Sequence, residues 1–411
     1  MEGYVETSEQ EADIILINTC AFIDDAKEQS INETLRLARL KNSSPSKRLV
    51  LFGCLGQRYK GQLATELPEV DLIEGINGEE QIVAFFKGPS GPTIKGSPQG
   101  PKEVTPKEPT HYAYLKIADG CNRRCTFCVI PSIKGRFKSV PKGPLLQEAT
   151  RLIDSGAREL ILIGQDITEY GRDGLGYGLV DLLREMVALE GDFYIRLLYL
   201  NPTGITNQLL ELMATERKII HYIDVPLQHS EERILRLMGR QGTKKEYIRL
   251  IRNIRRIMPD IALRTTFIVG FPSETEEEFQ SLLDFVGEIG FDRLGAFRYS
   301  REDGTTAARL KGQIPKAVKD RRYDALMGLQ AEISYQKNLE LVGRTFDVLV
   351  DEVDAQSIIG RIYSQAPDID GATIIDLRNS DTKGQKVRTG DRIRVKITGA
   401  YEYDLLGEFT V

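Results

Sequence analysis

Continuous apolar runs separated by amphipathic stretches dominate the first four-fifths of the chain. The first two, Asp13-Ile-Ile-Leu-Ile-Asn-Thr-Cys20 and Lys47-Arg-Leu-Val-Leu-Phe-Gly-Cys54, each end in a cysteine. Short apolar runs without alternation predict strands covered on both faces, as in parallel sheets. Between them, Asp24 to Leu40 carries Ile31, Leu35 and Ala38 at helical spacing behind an acidic first turn, so the unit reads strand, helix, strand. Cys20 and Cys54 are then expected just past the carboxyl ends of neighbouring strands, where open α/β sheets hold their ligands.

Six further strand-like runs follow, at Tyr112 to Ile117, Glu159 to Gly164, Phe193 to Tyr199, Ile219 to Val225, Ile261 to Gly270 and Phe291 to Phe297, with helical stretches between them. This repeat predicts a full or partial β/α barrel with its chemistry at the carboxyl ends of the strands. From about Phe346 the pattern turns to short alternating strands set apart by Gly and Asp, which predicts a small all-β barrel. Residues 88–109 hold ten Gly or Pro in 22 positions and read as a linker. The expected fold is α/β: an N-terminal open α/β domain over 1–87, a central partial (β/α)6 barrel over 110–335, and a small all-β barrel over 336–411.

At 411 residues the chain is long enough for two or three cores, and 41% apolar with 28% charged residues excludes a disordered chain or a coiled coil. The net charge of −5 gives no overall basic field for nucleic acid. No apolar run approaches the ~20 residues that span a bilayer, and the start lacks the order of a secretory signal, so a cytoplasmic protein without membrane contact is expected.

Five cysteines are too few and too unevenly placed for a disulfide framework. In Asp119-Gly-Cys121-Asn-Arg-Arg-Cys125-Thr-Phe-Cys128-Val-Ile-Pro, three thiols share one loop and can converge on a single inorganic centre. A structural zinc wants a fourth protein ligand, and His111, His221 and His229 all lie away from the loop. Three thiolates fit better a four-iron cluster with one iron left open for a ligand.

The Cys-x-x-x-Cys-x-x-Cys spacing, with Phe127 before its last cysteine and a strand before the loop, resembles the radical S-adenosylmethionine (SAM) superfamily. The resemblance implies that Cys121, Cys125 and Cys128 hold three irons while SAM chelates the fourth, and that an electron passed through the cluster cleaves SAM to a deoxyadenosyl radical. It places Phe127 near the adenine. It also implies cofactor contacts at Gly164, Gln165 and Asp166 after the second barrel strand, at Gln228 after the fourth, at Arg264 on the fifth, and at Val269 and Gly270 beyond it. Phe271 and His229 are read as packing and structural residues.

Asn18-Thr-Cys-Ala-Phe-Ile, Gly53-Cys-Leu-Gly-Gln-Arg, Leu162-Ile-Gly-Gln-Asp, Asp224-Val-Pro-Leu-Gln-His, Ile268-Val-Gly-Phe-Pro-Ser-Glu-Thr and Gly295-Ala-Phe-Arg-Tyr-Ser-Arg-Glu-Asp-Gly-Thr narrow the likeness to the methylthiotransferases. That family implies an N-terminal domain with a second 4Fe-4S cluster, a radical SAM barrel and a C-terminal TRAM-type barrel. Its N-terminal cluster uses three cysteines; Cys20 and Cys54 match two, and the first ligand, with a strand and a helix, has no match here, so either this sequence starts at an internal position or the second cluster is bound differently or not at all. Two 4Fe-4S clusters and SAM are the implied cofactors, and a flavodoxin or ferredoxin the implied electron donor.

One branch of the family modifies a tRNA adenosine, the other an aspartate of ribosomal protein S-twelve. From Gln336 to Val411 there are ten Lys or Arg against 13 Asp or Glu, which favours a basic protein partner over RNA. The ending Ala400-Tyr-Glu-Tyr-Asp-Leu-Leu-Gly also resembles the ribosomal-protein branch. The expected activity is methylthiolation of an aspartate β-carbon in S-twelve, free or within the small ribosomal subunit. The rivals are the tRNA enzyme and a non-catalytic iron–sulfur protein that binds ribosomes.

Overall fold

A computed structural model describes residues 7–44, 46–87, 111–377 and 386–410; the linker read at 88–109 lies outside them. The chain divides into two compact units, one of Met1–Glu108, Thr126–Arg136 and Ser300–Arg309, the other of Pro109–Cys125, Phe137–Tyr299 and Leu310–Val411.

The first unit holds β1 (Ile14–Thr19), α1 (Asp24–Ser43), β2 (Arg48–Gly53), α2 (Cys54–Glu66), β3 (Leu72–Ile73) and α3 (Glu79–Lys87). The three strands form one parallel sheet in the order β1-β2-β3, with Thr19 opposite Gly53. That register puts Cys20 and Cys54 just past the ends of neighbouring strands, each one residue beyond its strand. Gly53 makes this possible: its φ is +100°, and a Cβ there would lie 2.6 Å from the Asn18 Oδ1. Only glycine lets β2 turn at once into α2. Leu49 and Leu51 are fully buried in β2, with Ile15 and Ile17 buried beside them.

The second unit is built on a parallel sheet of six strands: β4 (Tyr112–Lys116), β7 (Glu159–Ile163), β8 (Tyr194–Leu197), β9 (Ile219–Asp224), β10 (Ala262–Val269) and β11 (Arg293–Arg298), in that spatial order. A short antiparallel pair, β5 (Ala118–Asp119) and β6 (Lys138–Ser139), brackets the cysteine loop, and α4 (Ile130–Lys134) follows it in the chain. Helices α5 (Lys142–Asp154), α6 (Leu179–Val187), α7 (Asn207–Thr215), α8 (Glu232–Leu237), α9 (Lys244–Ile257), α10 (Glu276–Ile289) and α11 (Lys316–Leu339) complete the crossovers. Their apolar faces meet Leu160, Leu162, Leu197, Leu263 and Phe267 on one side of the sheet. Alternation turns Ile161, Ile220, Tyr222 and Ala262 to the other, concave face, where Ala366 of the C-terminal region packs on them. This is the central partial (β/α)6 barrel.

Strands β12 (Thr345–Val353), β13 (Ser357–Arg361), β14 (Thr373–Asp376), β15 (Arg392–Ala400) and β16 (Leu405–Phe409) close into a barrel in the order β12-β13-β14-β16-β15. Val348, Val350, Ile358, Ile375, Val395 and Ile397 fill it. The two barrels are tied by buried charge. Glu159 of β7 accepts from Arg196 of β8 and from Arg361 of β13 (2.6 Å), while Arg361 forks onto Asp351 of β12 at 2.8 and 2.9 Å. His111 reaches the same Asp351 at 2.6 Å.

Among the described residues no helix is long and apolar enough to cross a membrane.

Candidate functional site

The three clustered cysteines lie where the first barrel strand gives way to its loop. None of the five cysteines is in a disulfide. Gly120 takes φ +73° to start the loop. Asn122 accepts the Phe137 N–H (3.1 Å), and the Arg123 N–H points at the Cys121 Sγ, 3.4 Å away. Burial pushes the Cys121 thiol up, and the Arg123 N–H offsets this only in part. A bound metal would reverse that balance by favouring the thiolate.

A single ion needs all its ligands at about 2.0–2.3 Å from one point. In a four-iron cluster each thiolate takes a different iron, so cysteines spread along one loop still suit it. The three thiols of Cys121, Cys125 and Cys128 fit such a cluster.

The rim residues divide. Gln165, after β7, has a buried side-chain oxygen with no hydrogen-bond partner, an open acceptor for an ammonium donor. Gly164 is nearly filled: a Cβ there would be 3.3 Å from Ile167 and 3.4 Å from the Ala118 carbonyl. Gln228 sits at φ +74° and clamps β10 through its backbone, donating to the Thr266 carbonyl and accepting from the Ile268 N–H, both at 2.8 Å. Gly270 takes φ +70°, and a Cβ would meet Lys319 at 2.4 Å. Phe127 is half-buried.

Three of the residues expected at the cofactor also have partners within the chain. Asp166 is buried and spent within the chain, accepting from Arg123 Nε (2.9 Å) and from the backbone and hydroxyl of Thr168. It holds the cysteine loop through Arg123, whose other arm donates to Glu169 at 3.0 Å. Arg264 spends its guanidinium on Asp224 (3.1 Å) and on Asp370 of the C-terminal barrel (3.3 Å). Val269 turns its side chain into the helix-side core and its carbonyl accepts the Tyr299 N–H. His229 is fully buried, its Nδ1 accepting from the Glu231 N–H at 2.9 Å. Phe271 is likewise buried, in edge contact with Tyr299.

Sequence reasoning missed Arg123, although it lies inside the motif, and Arg240. Gly239 and Gly242, both at positive φ, flank Arg240, and Nη2 donates to the Pro226 carbonyl at 2.7 Å. This leaves Nη1 4.0 Å from the Cys125 Sγ, a cation beside one of the three loop thiols. Outer partners of metal ligands typically matter 10–100-fold in affinity. Asp166→Ala, which frees Arg123, is therefore expected to lower iron retention after reconstitution by about tenfold or more; unchanged iron per chain under a chelator challenge would refute the role.

In the first unit, the Cys20 N–H donates to Ser30 Oγ at 3.1 Å. Arg58, one turn past Cys54 on α2, donates to the Ala21 carbonyl (2.6 Å) and to the buried Glu302 (3.0 Å), which also takes Lys27 at 2.9 Å. Both cysteine turns are thus held through Arg58.

Comparison with known proteins agrees with this geometry. Residues 115–286 match the radical SAM superfamily, 342–410 the TRAM domain, and 1–75 the Uncharacterized protein family UPF0004. A protein of Thermodesulfovibrio yellowstonii named ribosomal protein uS12 methylthiotransferase RimO is 48% identical over 407 residues, covering 99% of this chain and 93% of the relative. Proteins of that name from Pelotomaculum thermopropionicum (44%; 99% and 93% covered) and Geobacter sulfurreducens (43%; 98% and 92%) are similar. Among solved structures, the radical SAM methyltransferase TsrM of Kitasatospora setae shares the fold, with a TM-score of 0.52 at 14% identity over 83% of this chain and 68% of that one. The chain belongs to the RimO family of radical SAM methylthiotransferases, whose members imply 4Fe-4S chemistry and SAM.

Proposed function

We propose that this protein adds a methylthio group to the β-carbon of an aspartate in ribosomal protein uS12. The observation that carries the reading is the thiol loop after β4, in a chain 48% identical over almost its whole length to a uS12 methylthiotransferase. Cys121, Cys125 and Cys128 would hold one 4Fe-4S cluster, and Cys20 and Cys54 would contribute to a second. When bound, the first cluster and SAM supply the radical chemistry that removes hydrogen from an unactivated carbon, and the second supplies sulfur.

The chain's own residues have the remaining tasks. Arg123 and Asp166 stiffen the cysteine loop. The open oxygen of Gln165 offers an acceptor to the amino group of SAM, and Gly270, at φ +70°, gives the backbone after β10 the turn expected near adenine. A cytosolic flavodoxin or ferredoxin would deliver electrons, and the substrate would be uS12 alone or in the small subunit.

The balance of −3 from Gln336 to Val411 argues against tRNA as the substrate. The test is an anaerobic competition in which reconstituted enzyme, SAM and reductant meet equal amounts of uS12 and tRNA. Methylthio label is expected on uS12; label on adenosine, or on neither, would overturn the proposal.

A further inference from the structure

The concave face of the six-stranded sheet carries large side chains that the fold does not cover. Tyr112 and Tyr114 share that face of β4 by alternation, and Tyr112 packs with Ile161 and Tyr222. Tyr114 nevertheless remains 47% exposed, its ring in edge contact with Tyr112 at 6.0 Å between centroids. Tyr199, just past β8, is 45% exposed and held at φ +62°, its N–H donating to the buried Asp224 at 2.9 Å. A bulky residue in the left-handed region is uncommon, and such strain gathers at binding sites.

Facing these rings is a segment of the C-terminal barrel, Ala366 to Gly371. Its base is locked: Asp370 is buried and accepts from Tyr222 OH, Arg264 and the Ala366 N–H. Its tip is not. Asp368 stands exposed at φ +67°, its carboxylate reached at 3.5 Å by Tyr112 OH, and Ile369 beside it is 49% exposed. The anchored base thus holds, beside tyrosine rings, a carboxylate without an ion pair among the described residues. Burial, with Asp368, Tyr112 and Tyr199 adding to it, pushes the Tyr114 hydroxyl up to about 12, so the ring stays neutral beside the carboxylate.

We propose that Asp368, Tyr114 and Tyr199 form a subsite for a lysine or arginine side chain of the substrate protein, next to the residue to be modified. A cation is drawn both to a carboxylate and to the face of a tyrosine ring. A phosphate would be repelled by the same carboxylate, so the subsite selects a basic protein segment over RNA. This rests on the reading of uS12 as substrate, whose basic residues the subsite would read.

The test compares steady-state kinetics on two synthetic peptides spanning the modified aspartate of uS12, one native and one with every Lys and Arg changed to Gln. Asp368→Gly removes the carboxylate and suits the left-handed backbone, so the loop keeps its shape. On the native peptide Asp368→Gly is expected to raise KM about tenfold, with kcat within about twofold. On the Gln peptide the wild type should show the same rise and Asp368→Gly should add nothing. Tyr114→Leu should follow the same pattern. An unchanged KM for Asp368→Gly, or an equal loss on both peptides, would overturn the subsite. A wild type that modifies neither peptide nor whole uS12 would instead overturn the functional reading beneath it.

Discussion

Alanine at any one of Cys121, Cys125 or Cys128 is expected to abolish SAM cleavage, a loss of at least about 10³-fold, well beyond the 10–100-fold typical of changes outside the ligand shell. Three thiolates are the only protein ligands the loop offers, so a cluster already open at one iron has no spare donor to replace a lost one. The substitution removes a half-buried side chain from a loop that is held by Asn122, Arg123 and Asp166, so the protein should stay folded. Iron and sulfide content, the paramagnetic signal of the reduced protein and released deoxyadenosine report the loss independently. Cys20→Ala and Cys54→Ala should behave differently: deoxyadenosine is still released, but methylthio transfer stops. Full transfer by either of those variants would remove the N-terminal thiols from the chemistry.

The largest effect on stability is expected from Glu159. It is 1% exposed and lies between the guanidinium groups of Arg196 and Arg361. Burial alone would raise its pKa, yet the two arginines outweigh burial and hold the carboxyl below its ordinary value of 4.5. Glu159→Ala would leave two buried cations with one carboxylate fewer, at a cost of about 3–5 kcal/mol. Replacing Glu159, Arg196 and Arg361 together by apolar residues of similar volume should cost far less, because the desolvation penalty goes with the charges.

The acid limb follows from the same shift. Because the folded pKa is depressed, the unfolded chain takes up the proton first. The contribution is therefore complete above about pH 4.5 and is lost as pH falls through the lower, folded value. Asp351 adds to this: burial raises it, but His111 and Arg361 bring it below its ordinary range. Denaturant titrations from pH 3 to 7 should show Glu159→Gln with a flatter acid limb than wild type, to order of magnitude one proton shallower. Parallel limbs would mean that the charge cluster carries no pH-dependent stability.

The strands of this fold were legible because they are continuous apolar runs. Cys20, Cys54 and the 121–128 loop stood out because thiols gathered at the carboxyl ends of strands suit a metal centre better than they suit a core. What escaped was of two kinds. The short strand Leu72–Ile73 and the pair Ala118–Asp119 with Lys138–Ser139 have too few residues to show any period. The partners of Asp166 and Arg264 within the chain were not legible either. Which partner a charged side chain takes depends on residues distant in sequence: Arg123 lies 43 positions from Asp166, and Asp370 lies 106 from Arg264. Arg240 gave no signal of its own, because a Gly-Arg-Gln-Gly turn acquires meaning only when folding brings it beside Cys125.

The most direct test of the central claim is fragment-resolved mass spectrometry of uS12 after anaerobic incubation with the reconstituted protein, SAM and reductant. The account predicts one methylthio group on the β-carbon of a single aspartate, absent when Cys125→Ala replaces wild type. Cleavage of SAM with uS12 left unmodified would contradict it.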